Sequence, residues 1–383
     1  MKAFCLNNIS KVAIATLKAP DAIVEDIKDA DSILVRSADM HEMKLDKNIL
    51  AVARAGAGVN NIPLDDYAKE GVVVFNTPGA NANAVKELVL AGMLLASRDI
   101  IGGNQWVKDN ASNPNVGKDA EKAKKAYAGN EIYGKKIAVL GLGAIGILVA
   151  NACVELGMKV VGYDPYLSIK NALKLNKEVK FVEKIADAVR DADFITVHVP
   201  AMESTKGMIN NEVLYAASKG VVVLDFARDT LINEKDLEEA LKAGQVKKFV
   251  TDFANANVVN FPNTIVLPHL GASTDEAEDN CAVMAVNELK DFIENGNIKN
   301  SVNYPAVDAG VKPAAITRLC INHTNNPGII AKFTNEISSK GANIESLVSQ
   351  SKGEYAYTIL DLDKNIDTKS FNGLEGVLRV RVI

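Results

Sequence analysis

Short apolar runs alternate with amphipathic, helix-patterned segments along most of the chain. In the first quarter, helical patterns such as AIVEDIKDA and PLDDYAKE separate the runs AFCLN, SILVRS, ILAVARA and GVVVFNTP. A second series begins with KKIAVLGLG at Lys135 and ends with NTIVLPH. Strands that alternate with helices form parallel sheets covered by helices. The pattern therefore predicts an α/β fold with two doubly wound parallel sheets, the second having six or seven strands.

The pattern changes after GNIKNSVNYPAVDAGVKP, a linker that contains proline and glycine. The apolar runs ITRLCIN, NIESLVSQS, YAYTILDLD and VLRVRVI follow, with the helical pattern GIIAKFTNEISSKG after the first run and a short polar helix before the last. This βαββαβ order is that of the ferredoxin-like split motif. The sequence predicts a third, separate module at the C-terminus.

Composition and charge indicate which class of protein this is and which partners it is expected to lack. The chain has 383 residues, of which 48% are hydrophobic and 24% charged, values typical of a globular protein of two or three domains. The net charge of −5 gives no support for a nucleic-acid partner. No long apolar stretch and no signal peptide are found, so we expect no membrane span. The four cysteines lack metal-ligand spacing, which predicts reduced thiols, no metal site and a cytoplasmic location.

A glycine loop lies between an apolar strand and a helix in KKIAVLGLGAIGILVANACVELG. Gly141 is placed for a tight turn, Gly143 for close approach of the backbone to a pyrophosphate, and Gly146 for close packing of helix on strand. The next strand ends at Asp164, where a carboxylate accepts hydrogen bonds from ribose hydroxyls and repels a 2′-phosphate. These features predict NAD as the cofactor.

Two side chains at later strand ends are candidates for substrate chemistry. Arg228 follows the strand GVVVLDFA, and a guanidinium grips a planar carboxylate with two parallel hydrogen bonds. His269 follows NTIVLP, and an imidazole exchanges protons near neutral pH. Each also has an ordinary interpretation, a structural ion pair for Arg228 and a hydrogen-bonded loop residue for His269.

The order of GLGAIG, YDP, DFITVHVP, FAR and PHLGAST resembles the D-isomer-specific 2-hydroxyacid dehydrogenases. RAGAGVNNI and FNTPGANA are similar to the D-3-phosphoglycerate dehydrogenase branch of that family. The resemblance implies a discontinuous substrate domain at residues 1–98 and 286–306 and a Rossmann cofactor domain at residues 99–285.

The resemblance also implies residue roles. Arg228 would hold the substrate carboxylate, and His269 would exchange the hydroxyl proton while a hydride moves to or from NAD. The predicted cofactor contacts are Gly141, Gly143, Ala144, Ile145, Gly146, Asp164, Val199, Pro200, Thr205, Phe226, Ala227, Asp252, Gly271 and Ala272. The predicted contacts to a phosphorylated 2-hydroxy acid are Arg36, Ser37, Arg54 and Gly56, although either arginine could instead form a surface ion pair.

The sequence departs from the family beside the catalytic histidine. Most members carry a glutamate about five residues after the aspartate of an Asp-Val dipeptide, where it hydrogen-bonds the imidazole. Here the region reads TDFANANVVNFP, which places Asn257 at or near that position. Asp225 and Asp229 stand where asparagine and glycine are usual, and Lys86 where a small residue is usual. We expect Asn257 to orient His269, or another carboxylate such as Asp229 to replace the glutamate.

Residues 313–383 resemble an ACT regulatory domain. In serine-regulated relatives, a His-x-Asn ahead of Pro-Gly and an asparagine of the next strand hold the effector. His323, Asn325 and Asn343 match those positions, which implies L-serine as an effector. A domain that only pairs copies of the chain is the alternative. In either case the resemblance implies a homo-oligomer, a dimer or a tetramer.

The leading hypothesis is NAD-dependent oxidation of 3-phospho-D-glycerate to 3-phosphohydroxypyruvate, the first step of L-serine biosynthesis. One alternative is the same chemistry on another D-2-hydroxy acid, such as 2-hydroxyglutarate. The other is an NAD-sensing binding protein, a use of this fold that the C-terminal binding protein corepressors illustrate.

Overall fold

The computed structural model describes residues 1–383, which form two compact units. One unit comprises Met1–Asn81 together with Asp275–Ile383, and the other comprises Ala82–Thr274. We call them the split unit and the central unit.

The split unit contains a parallel five-stranded sheet in the order β2-β1-β3-β4-β5. Its strands are β1 (Lys2–Cys5), β2 (Ala22–Val24), β3 (Ser32–Val35), β4 (Ala51–Arg54) and β5 (Val73–Phe75), and its helices are α1 (Lys11–Ala15), α2 (Leu64–Lys69) and α11 (Asp275–Asn295). Successive strand residues point to opposite faces. Leu34, Ala53 and Phe75 therefore pack with α11, whereas Ile33 and Val74 pack in a core on the opposite face.

The same unit contains an antiparallel four-stranded sheet in the order β14-β15-β13-β16. Its elements are β13 (Thr317–Thr324), α12 (Ile329–Ser339), β14 (Ile344–Lys352), β15 (Tyr355–Leu362) and β16 (Val377–Val382). The predicted second helix is a short 3₁₀ helix, Lys369–Gly373. Phe333 of α12 and Phe371 of the 3₁₀ helix fill the core over one face of the sheet. The strand order is that expected for a βαββαβ module.

Two arginines, the buried Arg318 and the half-buried Arg381, join this module to α11. Arg318 is fully buried and bonds Asp361 through Nε at 2.7 Å and Nη2 at 2.8 Å, while Nη1 donates to the carbonyl of Asn295 at 2.9 Å. Arg381 donates to the carbonyl of Phe292 at 2.5 Å and lies 4.2 Å from the centre of that ring. Cations stabilise the C-terminal end of a helix because its last carbonyls lack intrahelical partners. The antiparallel sheet is therefore anchored to the end of α11.

The central unit contains a parallel seven-stranded sheet in the order β12-β11-β10-β9-β6-β7-β8. Its strands are β6 (Lys136–Leu140), β7 (Lys159–Tyr163), β8 (Lys180–Val182), β9 (Phe194–Val197), β10 (Val221–Asp225), β11 (Val246–Thr251) and β12 (Thr264–Val266). Its helices are α3 (Ala82–Ser97), α4 (Ile100–Asp109), α5 (Val116–Ala123), α6 (Ala144–Glu155), α7 (Ile169–Ala172), α8 (Ile185–Val189), α9 (Asn211–Ala216) and α10 (Glu234–Lys242). Separate cores lie on the two faces of the sheet, one under α3 and α6 and the other under α8, α9 and α10. The doubly wound sheet predicted from the sequence is present.

The compact units divide the chain at positions other than the predicted domain boundaries. Helix α3 was expected in the first domain, but its Val89 and Met93 are fully buried in the core of the central unit. The start of α11 was expected in the cofactor domain, but Cys281 and Ala285 lie in the core of the split unit. Each helix belongs to the unit against which it packs its apolar face. A break in the sequence pattern does not reveal which sheet that face packs against.

Two predictions concern features outside the sheets. No helix has the length and apolar character needed to span a membrane. All four cysteines are free, with Cys153, Cys281 and Cys320 buried and Cys5 half-buried, which confirms the predicted reduced thiols.

Replacing Arg318 with methionine would leave the Asp361 carboxylate without its buried partner. Removal of one member of a buried ion pair costs about 3–5 kcal/mol, so we expect a loss of that size in the free energy of unfolding. Urea denaturation of the full chain measures it. Arg190→Met is the matched control, because the Arg190–Asp187 pair is exposed and worth less than about 1 kcal/mol. Equal losses in the two variants would contradict the importance of the buried anchor.

Candidate active site

The glycine loop leaves open the space that a dinucleotide phosphate needs. Gly141 has φ +96°, and a Cβ there would lie 2.6 Å from the carbonyl oxygen of His198. A Cβ on Gly146 would lie 1.8 Å from the carbonyl oxygen of Gly141, whereas one on Gly143 would meet no atom within 4 Å. Helix α6 begins at Ala144 and Ile145 with no side chain capping its first N–H groups. The loop therefore fits an anion at a helix N-terminus.

Asp164 lies beside this loop with its carboxylate already oriented. Its Oδ2 accepts the N–H of Leu142 at 2.9 Å, and its Oδ1 accepts the N–H of Tyr166 at 2.8 Å. These bonds attach the end of β7 to the glycine loop. A carboxylate oxygen can accept more than one hydrogen bond, so both oxygens retain acceptor capacity for hydroxyl groups.

The other predicted cofactor contacts follow the ends of neighbouring strands. Thr205, in the segment after β9, donates to the carbonyl of Pro200 at 2.7 Å and accepts the N–H of Met202 at 2.9 Å. Because the strands are parallel, their carboxyl ends lie along one edge of the sheet. That edge carries the remaining predicted contacts Val199, Phe226, Ala227, Asp252, Gly271 and Ala272.

Arg228 and His269 contact the same aromatic side chain. The ring of His269 lies 4.8 Å from that of Phe253, centre to centre, at an interplanar angle of 49°. The guanidinium carbon of Arg228 lies 5.9 Å from the centre of the Phe253 ring. The structure therefore brings the two candidate catalytic groups together at the ends of β10, β11 and β12. The sequence reasoning missed Phe253, which replaces the usual valine after Asp252.

His198 also follows a strand of this sheet, but it is unsuited to proton exchange. Its Nε2 lies 2.9 Å from the hydroxyl of Thr196. Burial lowers the pKa of His198 to about 3, so its ring is neutral throughout the physiological range.

The expected contact between Asn257 and His269 does not form. The side-chain amide of Asn257 donates to Glu234 Oε2 at 2.8 Å, and that of Asn255 donates to Glu234 Oε1 at 2.8 Å. Asn255 Oδ1 also accepts the N–H groups of Asn257 and Val258, which turns the loop toward the start of α10. Asp229, the other expected partner, accepts the N–H of Thr230. These hydrogen bonds thus hold Asn257 and Asp229 to partners other than His269.

Asp252 is the carboxylate that supports the loop of His269. Its Oδ2 accepts the N–H of Gly271 at 2.7 Å, which fixes the loop that carries the histidine. Burial raises the pKa of Asp252, while the Gly271 N–H and the charge of His269 oppose that rise. Asp252 Oδ1 is buried and has no hydrogen-bond partner.

Asp225 holds the loop of Arg228, a contact that the sequence reasoning did not foresee. It is fully buried at the end of β10, and its Oδ1 accepts the N–H groups of Ala227 at 3.0 Å and Arg228 at 3.3 Å. Burial raises the pKa of Asp225 to about 7, and these two N–H groups oppose the rise. The charges of Asp252 and Asp229 raise it further.

In the split unit, the predicted substrate residues lie at the carboxyl ends of β3 and β4. Arg36 Nη2 is 2.5 Å from Oε1 of Glu278, so part of its charge is already paired. Arg54 Nε donates to the carbonyl of Arg36 at 3.1 Å, and a Cβ on Gly56 would lie 2.3 Å from Arg54 Nη1. A side chain at position 56 would displace that guanidinium. Ser37 Oγ accepts the amide of Asn7 at 3.0 Å.

The predicted effector residues are only partly brought together. His323 and Asn325 line a cavity of about 250 Å³ together with residues 349–351. Burial lowers the pKa of His323, whose Nε2 lies 2.8 Å from the hydroxyl of Thr358 and whose Nδ1 lies 2.8 Å from the carbonyl of Thr324. Asn343 does not line this cavity. It precedes β14, at the end away from residues 349–351, and donates to Glu345 at 2.8 Å.

Lys86 lies on α3 with Nζ 3.6 Å from Oε1 of Glu87, and nothing in the structure explains why lysine is present there.

Substituting Asp225 with asparagine should change how stability depends on pH. The pKa of Asp225 is raised from 3.8 to about 7, so its protonated form is favoured in the folded state. The contribution of Asp225 to the free energy of unfolding is therefore complete below its ordinary pKa of 3.8. It is lost as the pH rises toward and through about 7. We expect the wild-type chain to lose about 1–3 kcal/mol relative to Asp225→Asn between pH 5 and pH 8, since one pKa unit corresponds to about 1.4 kcal/mol.

Urea unfolding of both proteins at the two pH values measures this difference. Asp66→Asn, at an exposed ion pair, is the control and should follow the wild type at both pH values. Parallel pH dependence of the wild type and Asp225→Asn would show that Asp225 does not titrate as described.

Similarity to known proteins agrees with this geometry. Residues 90–271 match the family described as D-isomer specific 2-hydroxyacid dehydrogenase, NAD binding domain. The D-3-phosphoglycerate dehydrogenase of Methanocaldococcus jannaschii is 33% identical over 79% of this chain and 57% of its own length. That of Bacillus subtilis is 32% identical over 94% of this chain and 65% of its own length. The chain thus spans less than two thirds of either relative.

The crystal structure of NAD⁺-bound 3-phosphoglycerate dehydrogenase from Entamoeba histolytica has a TM-score of 0.61 and 27% sequence identity. The alignment covers 79% of this chain and 98% of that one. The glycine loop, Asp164, Arg228 and His269 all fall within the residues that match the family. Residues 90–271 are therefore similar to the NAD-binding domain of the D-isomer-specific 2-hydroxyacid dehydrogenases.

Proposed function

We propose that the chain is an NAD-dependent dehydrogenase that oxidises 3-phospho-D-glycerate to 3-phosphohydroxypyruvate, the first step of L-serine biosynthesis. The observation that carries this proposal is the placement of Arg228 and His269 against one ring, at the edge of the sheet that bears the glycine loop. The two relatives from Methanocaldococcus jannaschii and Bacillus subtilis are both named D-3-phosphoglycerate dehydrogenase, which supports the choice of substrate.

In the proposed reaction, Arg228 binds the substrate carboxylate. A guanidinium matches the two carboxylate oxygens, and it also polarises the developing carbonyl at the neighbouring carbon. Asp225 keeps this residue in place, because its carboxyl group accepts the main-chain N–H of Arg228. NAD, when bound, supplies the hydride acceptor.

His269 takes the proton of the C2 hydroxyl as the hydride leaves C2. The imidazole is exposed, so it is accessible to a substrate hydroxyl. In the reverse direction the same ring returns the proton to the carbonyl oxygen. Through its bond to the Gly271 N–H, Asp252 holds the loop of this histidine, and the charge of the histidine favours the ionised form of Asp252.

Arg36 and Arg54 provide the cationic chemistry suited to a substrate phosphate. Strands β3 and β4 pair with Val35 opposite Arg54, which brings the two arginines to the same edge of their sheet. Arg36 would exchange its bond with Glu278 for one with the phosphate. Ser37 and Gly56 would complete the contacts at these strand ends.

For the C-terminal module we propose an ACT regulatory domain that binds L-serine and pairs copies of the chain into a dimer or a tetramer. The cavity of about 250 Å³ beside His323 and Asn325 is of a size to hold a small amino acid. The amide of Asn325 donates only a long bond, 3.3 Å, to the carbonyl of Gly353 and can turn toward a carboxylate. Asn343 would contribute only from a second copy, since it lies at the far end of β14.

A non-catalytic NAD-binding protein is the second candidate, favoured by the lack of a hydrogen-bonded carboxylate on His269. The assay combines the purified full chain with 3-phosphoglycerate, NAD⁺ and a reagent that traps phosphohydroxypyruvate. NADH formation supports the dehydrogenase. NAD⁺ binding without turnover of 3-phosphoglycerate or of other D-2-hydroxy acids would favour the binding protein.

Arg228→Gln and His269→Asn should each lower kcat/KM roughly 10²–10⁴-fold, because each removes a group that acts in the transition state. The dissociation constant for NAD⁺, measured by fluorescence titration, should stay unchanged. Arg190→Gln alters an exposed ion pair and serves as the control. Full activity in His269→Asn would eliminate the proposed proton carrier.

Asn325→Ala should weaken L-serine binding about 10-fold or more, since a hydrogen bond to a charged group contributes about 1.5–3 kcal/mol. Isothermal titration of the full-length wild type and variant with L-serine measures the effect. Asn335→Ala, on α12, is the control. If the wild type gives no binding heat with serine, the module functions only in pairing.

A further inference from the structure

Phe253 lies where packing alone gives no reason for a large aromatic side chain. It follows Asp252 directly, at the end of β11, and is only partly buried. It belongs to neither of the two hydrophobic cores of the central unit. Its N–H donates to the buried hydroxyl of Thr251 at 3.0 Å, so its main chain is fixed at the strand end.

The ring of Phe253 contacts the ring of His269. Within the central unit, no side chain forms a hydrogen bond with the imidazole, and the polar contact of the residue is its carbonyl, which accepts from Ser273 Oγ at 3.2 Å. The centre-to-centre distance of 4.8 Å and the tilt of 49° lie in the range that aromatic pairs prefer. The contact therefore restricts the orientations open to the histidine ring.

The same phenyl ring also contacts Arg228. A guanidinium within about 6 Å of a ring centre is attracted by the negative face of the ring, and the distance here is 5.9 Å. Valine, the usual residue at this position in the family, has no such face. In this sequence the usual valine and the usual glutamate are both absent, and Asn257 is directed to Glu234.

We propose that Phe253 is a positioning residue, whose ring holds the imidazole of His269 and the guanidinium of Arg228 in the arrangement that the reaction needs. In most of the family a glutamate orients the imidazole by a hydrogen bond. Here the ring of Phe253 orients it by aromatic contact. The proposal rests on the proposed function for the roles of those two side chains. The geometry of the contact itself does not depend on those roles.

Phe253→Leu removes the aromatic face but keeps an apolar side chain. Because a displacement of about 1 Å can cost about 100-fold in rate, we expect kcat to fall roughly 10- to 100-fold, while the KM for NAD⁺ changes little. Phe253→Tyr retains the ring and should restore kcat to near the wild-type value. Phe181→Leu changes an exposed phenylalanine of β8 in the same unit and should leave kcat unaltered.

Histidine-labelled NMR of the same proteins provides a readout independent of turnover. The chain has four histidines, and the His269 signals are those missing from His269→Asn. The ring current of Phe253 should shift these signals in the wild type and in Phe253→Tyr. In Phe253→Leu they should move, while the signals of His198 and His323 stay in place.

The inference is supported if Phe253→Leu loses kcat, Phe253→Tyr recovers it, and the His269 signals move only in the leucine variant. It is overturned if Phe253→Leu retains wild-type kcat, if only KM changes, or if the His269 signals do not move. Failure of the proposed function is seen separately, as a wild-type protein that oxidises no D-2-hydroxy acid. In that event the NMR comparison still decides whether Phe253 orients the histidine.

Discussion

Parallel strand pairing is the constraint on which the site of the central unit depends. Strands β6, β9, β10, β11 and β12 lie side by side in one orientation, so the segments that follow them meet along one edge. The glycine loop follows β6, and the Arg228 and His269 loops follow β10 and β12. A candidate site therefore forms from residues more than a hundred positions apart in the chain.

Two buried carboxyl groups make this edge rigid. Asp225 accepts main-chain N–H groups of the loop after β10, and Asp252 accepts that of Gly271 in the loop after β12. Each has a second oxygen without a partner, so the arrangement retains a desolvation cost. Such costs are expected where loops must be held in one conformation for chemistry. Burial and mutual repulsion favour the protonated form of Asp225, whose raised pKa follows from both causes.

In the split unit, the comparable constraint is the buried contact between the antiparallel sheet and the end of α11. Arg318 and Arg381 donate to main-chain carbonyls near the helix end, and Tyr357 donates to the carbonyl of Gly296 at 2.8 Å. Arg318 and Tyr357 are fully buried, so their polar groups need these partners for the unit to be stable. The cavity beside His323 therefore lies in a module that is fixed to the parallel sheet by α11.

The sequence by itself determined the order of the elements, the three sheets, the glycine loop and the two candidate catalytic side chains. These follow from apolar periodicity and from residue types at strand ends, which are local properties. Only the tertiary structure decided which unit takes α3 and α11, because that depends on the surface against which each helix buries its apolar face. It also showed that Asn257 bonds Glu234, that Asp225 supports Arg228, and that Phe253 contacts both Arg228 and His269. Side-chain partners depend on the direction of a loop in space, and residue spacing along the chain does not contain that direction.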